Sequence, residues 1–139
     1  MVQITAASTN PEISKQGFET FFRVAATDDV QGPRGARFAS RNLSIKSVFV
    51  IDDKTTYGKG LADEFEKEAA KLAVTILGHE GITQGDKDFT PLLTKIKPLV
   101  PEMIYFGGIY PEGALLIRQA RSLDIQSTFM GGDGLATPI

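Results

Sequence analysis

Apolar residues along this chain gather into short β-rich runs separated by longer stretches with a helical period. Four runs stand out, Val48–Ile51, Val74–Leu77, Met103–Phe106 and Thr128–Met130, and their starts recur at roughly 26 residues. After the first run, Tyr57, Leu61, Phe65, Ala69 and Leu72 keep one helical face apolar, while Lys59, Asp63, Glu64, Lys67 and Lys71 hold the other. Phe89, Leu92, Leu93 and Ile96 form a second helical pattern, with Asp88 as its expected cap. Ala114, Leu116 or Ile117, Ala120 and Leu123 form a third, opened by Pro111, whose missing N–H has no partner in a first helical turn anyway. Runs that are apolar throughout, rather than alternating, predict strands buried on both faces. Strand and helix alternate, so the expected fold is a three-layer α/β/α domain with a doubly wound, mainly parallel sheet and right-handed crossovers. Upstream, Phe21–Val24 predicts another strand. A helix with a weak apolar face is expected from about Gln31 to Leu43, with Asp28 or Asp29 as its cap and Gly32 and Pro33 near its start. Val2–Ala7 reads as an extended core segment.

Composition narrows the function. The 139 residues are 42% hydrophobic and 23% charged, the make-up of one ordinary globular domain. Fifteen Lys and Arg against 17 Asp and Glu leave a formal charge of −2, so no basic surplus exists to neutralise nucleic acid or an anionic membrane. Without cysteine there is no disulfide, thiolate metal site or cysteine nucleophile, and a single histidine, His79, removes His-pair metal sites. No enzyme and no cofactor is expected. The opening VQITAAST lacks the basic and apolar regions of a signal peptide, and its abrupt start predicts a chain cut from a longer protein.

In an open α/β sheet ligands bind beyond the carboxyl ends of the strands. Those tips are Asp52–Gly58, Gly78–Glu80, Gly107–Tyr110 and Gly131–Gly134. Asp52 and Asp53 form a carboxylate pair at a position suited either to a magnesium ion or to solvation and helix capping, and capping is the expectation because neighbours on a strand point apart. Gly58-Lys59-Gly60-Leu61-Ala62-Asp63 imitates a dinucleotide fingerprint, but Asp63 stands at the third glycine position and the loop is too long. His79 reads as a surface or strand-end histidine, because no paired acid and nucleophile can be nominated from spacing. Tyr57 and Tyr110 start helices at the crevice, where a phenol ring can stack on or hydrogen-bond a ligand. Asp133 is flanked by glycine on both sides, and a lone carboxylate on a flexible backbone suits a ligand ammonium.

The strings AASTNPEISKQGFETFFRV, DDVQGPRGARF, IDDKTTYGKGLADEF, EGITQGDKDFTPLLTKIK, IYFGGIYPEGALLIRQAR and FMGGDG, in this order and spacing, resemble the periplasmic substrate-binding proteins of branched-chain amino-acid ABC transporters, the Leu/Ile/Val-binding family. The resemblance implies the type I periplasmic-binding fold, in which an amino acid is trapped between two α/β lobes. Residues 1–15 would be the end of the first lobe and the hinge crossing, and residues 16–139 the second lobe, incomplete at its C-terminal end. Ala7 and Thr9 match first-lobe positions that hold the ligand's charged backbone groups, and Tyr57 matches a cleft tyrosine. Asp133 falls where the family carries a glutamate for the ligand ammonium, and Ile109 where it carries a cleft tyrosine, with Tyr110 one position along. The implied function is delivery of an amino acid or similar small carboxylate to a membrane permease, from the periplasm, with no nucleic-acid partner. Exposed hinge surface would favour self-association. The alternatives are an effector-binding sensory or regulatory domain of the same fold and a nucleotide- or flavin-binding α/β enzyme domain.

Overall fold

The computed structural model describes residues 1–136. Strand β1 (Gln3–Thr5), a 3-10 turn at Pro11–Gln16 and strand β2 (Phe21–Arg23) come first. Then α1 (Asp28–Arg41), β3 (Ser47–Asp52), α2 (Thr56–Lys71), β4 (Thr75–Gly81), α3 (Thr90–Ile96), β5 (Met103–Gly107), α4 (Tyr110–Ser122) and β6 (Thr128–Gly131) alternate as the hydrophobic pattern predicts.

Strands β3 to β6 form one parallel sheet in the order β4-β3-β5-β6. Successive side chains of a strand point to opposite faces. Val48, Val50, Met103 and Tyr105 therefore pack beneath α1 and α2, and Phe49, Ile51, Ile104 and Phe106 pack against α3 and α4. That two-sided burial is the physical content of the continuous apolar runs, and it makes the expected three layers. Phe65 of α2 stacks on Tyr105 with ring centroids 3.7 Å apart. The chain runs outward from β3 to β4 and then crosses back to β5 on the other side, so the strand order reverses between β3 and β5 and opens a crevice at their carboxyl ends. The weak apolar face of α1 is a small-residue face: Gly32, Ala36 and Ala39 are buried, and a Cβ on Gly32 would lie 2.8 Å from the Phe65 backbone nitrogen. Close approach replaces bulk at the α1–α2 contact.

Several local expectations need correction. Helix α1 begins at Asp28, not near Gln31. Thr27 holds the cap position without a side-chain cap bond, Asp28 and Asp29 form the first turn, and Pro33 lies inside the helix. Asp88 does accept from the Thr90 backbone N–H at 3.0 Å, although Phe89 occupies the cap position. Strand β4 continues to Gly81, so Gly78-His79-Glu80 is strand rather than tip. Gly78 permits this, since a Cβ there would meet the Phe49 ring at 2.6 Å beside the register shift between Val48 and Phe49.

The largest departure is at the start. Strands β1 and β2 pair with each other in parallel, Gln3 opposite Phe21 and Thr5 opposite Arg23, in a separate two-stranded sheet. Of Val2–Ala7 only Gln3–Thr5 is strand, and it is not core: Val2 is 63% and Ile4 68% exposed, and Phe22 and Val24 are exposed as well. No helical layer covers this ribbon among the described residues. A domain division after residue 15 would separate β1 from the strand it pairs with.

Candidate functional site

The segment after β1 is pinned from two sides. The Thr5 hydroxyl oxygen accepts from the Ala7 and Ser8 backbone N–H groups at 3.3 and 2.9 Å. Arg23 of β2 donates to the Ser8 and Asn10 carbonyls and to the Ser14 hydroxyl at 2.6, 2.7 and 2.8 Å. This delivers Thr9 to the N-terminus of α1, where its carbonyl accepts from the Asp28 N–H at 3.0 Å. Both side chains are 2% exposed, yet the Thr9 hydroxyl and both carboxylate oxygens of Asp28 lack a hydrogen-bond partner. Buried polar groups are normally paired; the Thr9 hydroxyl is itself a donor beside Asp28, so it is the carboxylate oxygens that are open to an external donor.

A helix N-terminus favours an anion, but here burial wins. Burial raises the Asp28 carboxyl above the ordinary carboxylate range and the charges of Asp133 and Asp29 add to it, while the Thr9 side chain, close by but outside hydrogen-bond geometry, works the other way. An acid whose folded-state pKa is raised makes the wild-type chain lose stability as pH rises through that value and regain it on acidification. Asp28→Asn is expected to stabilise the chain by about 1 kcal/mol at neutral pH, because relief of a buried unpaired charge exceeds the lost helix-dipole interaction. Urea denaturation between about pH 4 and about pH 7 checks this. The gap between variant and wild type should widen with pH, and parallel profiles would refute it.

The tip after β3 folds into a cap for α2. Asp53 accepts from the Thr55 backbone N–H and hydroxyl at 3.0 and 2.6 Å, and the Thr55 hydroxyl oxygen accepts from the Gly58 N–H at 2.9 Å. This sets half-buried Tyr57 in the first turn, facing the loop after β6. Its hydroxyl donates to Asp133 Oδ1 at 2.8 Å and accepts from the Gly134 N–H at 2.9 Å. Burial, then the hydrogen bond to Asp133, raises the Tyr57 phenol well above its usual range. From α1, Gln31 Oε1 accepts from the Asp133 N–H at 3.1 Å. The flanking glycines serve close approach rather than the flexibility expected of them. A Cβ on Gly132 would meet Gln31 Oε1 at 2.2 Å and Leu61 Cδ2 at 2.4 Å, and one on Gly134 would meet the Gly108 carbonyl and the Tyr57 hydroxyl, each at 2.7 Å.

Of the residues nominated from sequence, Ala7, Thr9 and Tyr57 line one cavity of about 450 Å³, together with Asn10, Ile13 and Thr56. Asp133 joins them through Tyr57. Ile109 is the half-buried cap residue of α4, and Tyr110, the first residue of that helix, is 52% exposed. Hydrogen bonds among the described residues do not tie either side chain to the others. Asp28 and Gln31 were missed as site residues. Their spacing of three puts them on one face of α1, which is the sequence signal that could have found them.

Other candidates resolve into structure. Asp52 accepts from the Lys54 N–H at 2.6 Å and contacts His79, so it does not converge with Asp53. His79 lies between Asp52, 2.9 Å from Nε2, and Glu66, 2.6 Å from Nδ1. Two acids therefore pair with it where spacing offered none. Among the described residues no group of three or more His, Cys, Asp or Glu could hold a metal ion. At the imitation fingerprint, a Cβ on Gly58 would lie 2.1 Å from Asp53 Oδ1, so a carboxylate fills the space a phosphate would need.

In open α/β sheets ligands bind beyond the carboxyl ends of the strands, and the Tyr57–Asp133 pair stands there. The model of the periplasmic binding protein family matches residues 2–138, and the chain belongs to this family. It is 42% identical over 137 residues to an amino acid binding protein of Pseudomonas aeruginosa, covering 99% of this chain and 37% of that protein. It is 39% identical to the Leu/Ile/Val-binding protein BraC3 of Rhizobium johnstonii, covering 98% of this chain and 37% of that one. The crystal structure of the leucine binding protein LivK from Thermotoga maritima superposes with a TM-score of 0.93 at 36% identity, over 99% of this chain and 39% of its own. The branched-chain amino acid transporter substrate binding protein LivJ from Streptococcus pneumoniae, solved with isoleucine, gives 0.89 at 30% identity, over 96% and 38%. The fold is thus the type I periplasmic-binding fold, and these relatives are solute-binding proteins, not enzymes. The chain spans between 37% and 39% of the length of these relatives.

Proposed function

We propose that this chain supplies most of one lobe of an amino-acid receptor for an ABC transporter, acting outside the cytoplasmic membrane and passing its ligand to a membrane permease. The observation that carries the reading is the set of unpartnered oxygens on buried Asp28 and Thr9, with Thr9 and Tyr57 lining one cavity and Tyr57 hydrogen-bonded to the Asp133 carboxylate. A ligand ammonium supplies the missing donors and the missing positive charge. The ligand's carboxylate is assigned to the Ala7–Thr9 segment and its side chain to the apolar wall around Ile13, with Ile109 and Tyr110 closing the far side. Relatives named for leucine, isoleucine and valine support a small aliphatic side chain.

In this reading β1 and β2 belong to the neighbouring lobe, and the division falls between Val24 and Asp28, where the chain leaves the ribbon for α1. Much of the contact area around a trapped ligand comes from the opposing lobe, so this chain alone should bind weakly. Titration calorimetry of the 139-residue chain with the aliphatic amino acids is expected to show no binding tighter than about millimolar, an affinity typical of a site lacking half its contacts. Micromolar binding would mean that one lobe suffices. The uncovered apolar ribbon should also drive self-association. Sedimentation velocity is expected to show concentration-dependent dimers that Ile4→Lys with Phe22→Lys dissolve, and a monomer at all concentrations would count against this.

A further inference from the structure

We propose that Gln31 is the positioning residue for Asp133, anchoring its backbone to the helix that carries Asp28. The inference rests on the reading of Asp133 as a partner for the ligand ammonium. Asp133 is exposed and stands on a short 3-10 turn at the edge of the sheet, a location where a carboxylate would otherwise sample many directions. Two hydrogen bonds hold it, and a third holds the next residue of the loop. The Tyr57 hydroxyl engages Oδ1 and the Gly134 N–H, and Gln31 Oε1 takes the Asp133 N–H. Tyr57 thereby occupies one carboxylate oxygen and leaves Oδ2 for a ligand.

Gln31 lies one helical turn beyond Asp28 on the same face of α1, so a single rigid turn carries both the buried carboxylate and the anchor of the exposed one. The Asp133 backbone is thus tied to α1 and its carboxylate to α2. The glycine at 132 is part of the device, since a Cβ there would lie 2.2 Å from Gln31 Oε1. A neutral amide suits the task. An acidic side chain could accept the same hydrogen bond but would add a third negative charge beside Asp28 and Asp133.

Hydrogen-exchange NMR on the 139-residue chain tests the anchor directly. In Gln31→Met the Asp133 amide is expected to exchange at least about 10-fold faster while the amides of β3 and β5 keep their protection, and Gln31→Glu, which retains the acceptor, should restore it. An unchanged Asp133 amide in Gln31→Met overturns the proposal. In a two-lobed protein extended to the length of the relatives, Gln31→Met should weaken binding of an amino acid about 10-fold more than binding of its des-amino acid. Equal weakening of the two indicates general damage and overturns the positioning role. If the unmodified two-lobed protein binds no amino acid, the functional reading fails, while the exchange measurement still decides whether Gln31 holds Asp133.

Discussion

Gly107→Ala is expected to destabilise the chain by about 3 kcal/mol or more, because the added methyl has nowhere to go. Its carbon would sit 2.1 Å from the Gly58 carbonyl oxygen, 2.9 Å from Ala62 Cβ and 3.0 Å from the Gly58 carbonyl carbon. Two of these atoms are backbone and cannot rotate aside. Relief requires α2 to lift from β5, which pulls Phe65 off Tyr105 and strips Leu61 and Ala62 from the core beneath. It also moves Tyr57, so whatever folded population remains should lose the hold on Asp133. Gly60→Ala is the control. It lies in the same helix with open space where the methyl would stand, and replacing a helical glycine there should stabilise by roughly 0.5–1 kcal/mol. Urea midpoints of the two variants should move in opposite directions. A Gly107→Ala variant within about 1 kcal/mol of wild type would contradict the close packing of α2 on β5.

The second large effect concerns ligand binding. Asp133→Asn keeps an oxygen that can accept from Tyr57 but removes the charge, so it separates the electrostatic role of the carboxylate from the shape of the loop. In a two-lobed protein this change, and separately Asp28→Asn, should weaken amino-acid binding at least about 100-fold, within the range for breaking a buried charge pair. Neither should lower the stability of the unliganded fold, and Asp28→Asn should raise it. A site that is less stable empty than its neutral variant, and binds only when charged, keeps polar groups unpaired for its ligand. Calorimetry and thermal unfolding on the same samples check both halves. Wild-type affinity in Asp133→Asn would remove that residue from the site.

Much of this was legible in the sequence, for identifiable reasons. The runs at Val48, Met103 and Thr128 mark strands because a parallel sheet between helical layers demands apolar residues on both faces, and Pro111 marks the start of α4. Tyr57 and Asp133 were reachable because the carboxyl ends of parallel strands are where a ligand can sit. Their hydrogen bond was not, since it joins residues 76 positions apart and depends on how tightly Gly132 and Gly134 approach α1 and α2. The sequence marks Asp28 as a cap because an acid before a helix usually is one. Only its burial against Thr9 reveals the orphan oxygens. The pairing of His79 with Glu66 and Asp52 is tertiary in the same way, with β3, α2 and β4 each contributing one group. The ribbon misled in the opposite sense: Val2, Ile4 and Phe22 carry the apolar pattern of core strands, yet nothing in the described chain covers them.

In the proposed receptor Asp28 and Asp133 recognise an ammonium group. Calorimetry on a two-lobed protein containing this sequence, comparing its tightest amino-acid ligand with the same molecule lacking the amino group, tests it most directly. The des-amino acid is expected to bind at least about 100-fold more weakly, because it leaves the Asp28 carboxylate without a donor and both acids without a counter-charge. Equal affinities would contradict it.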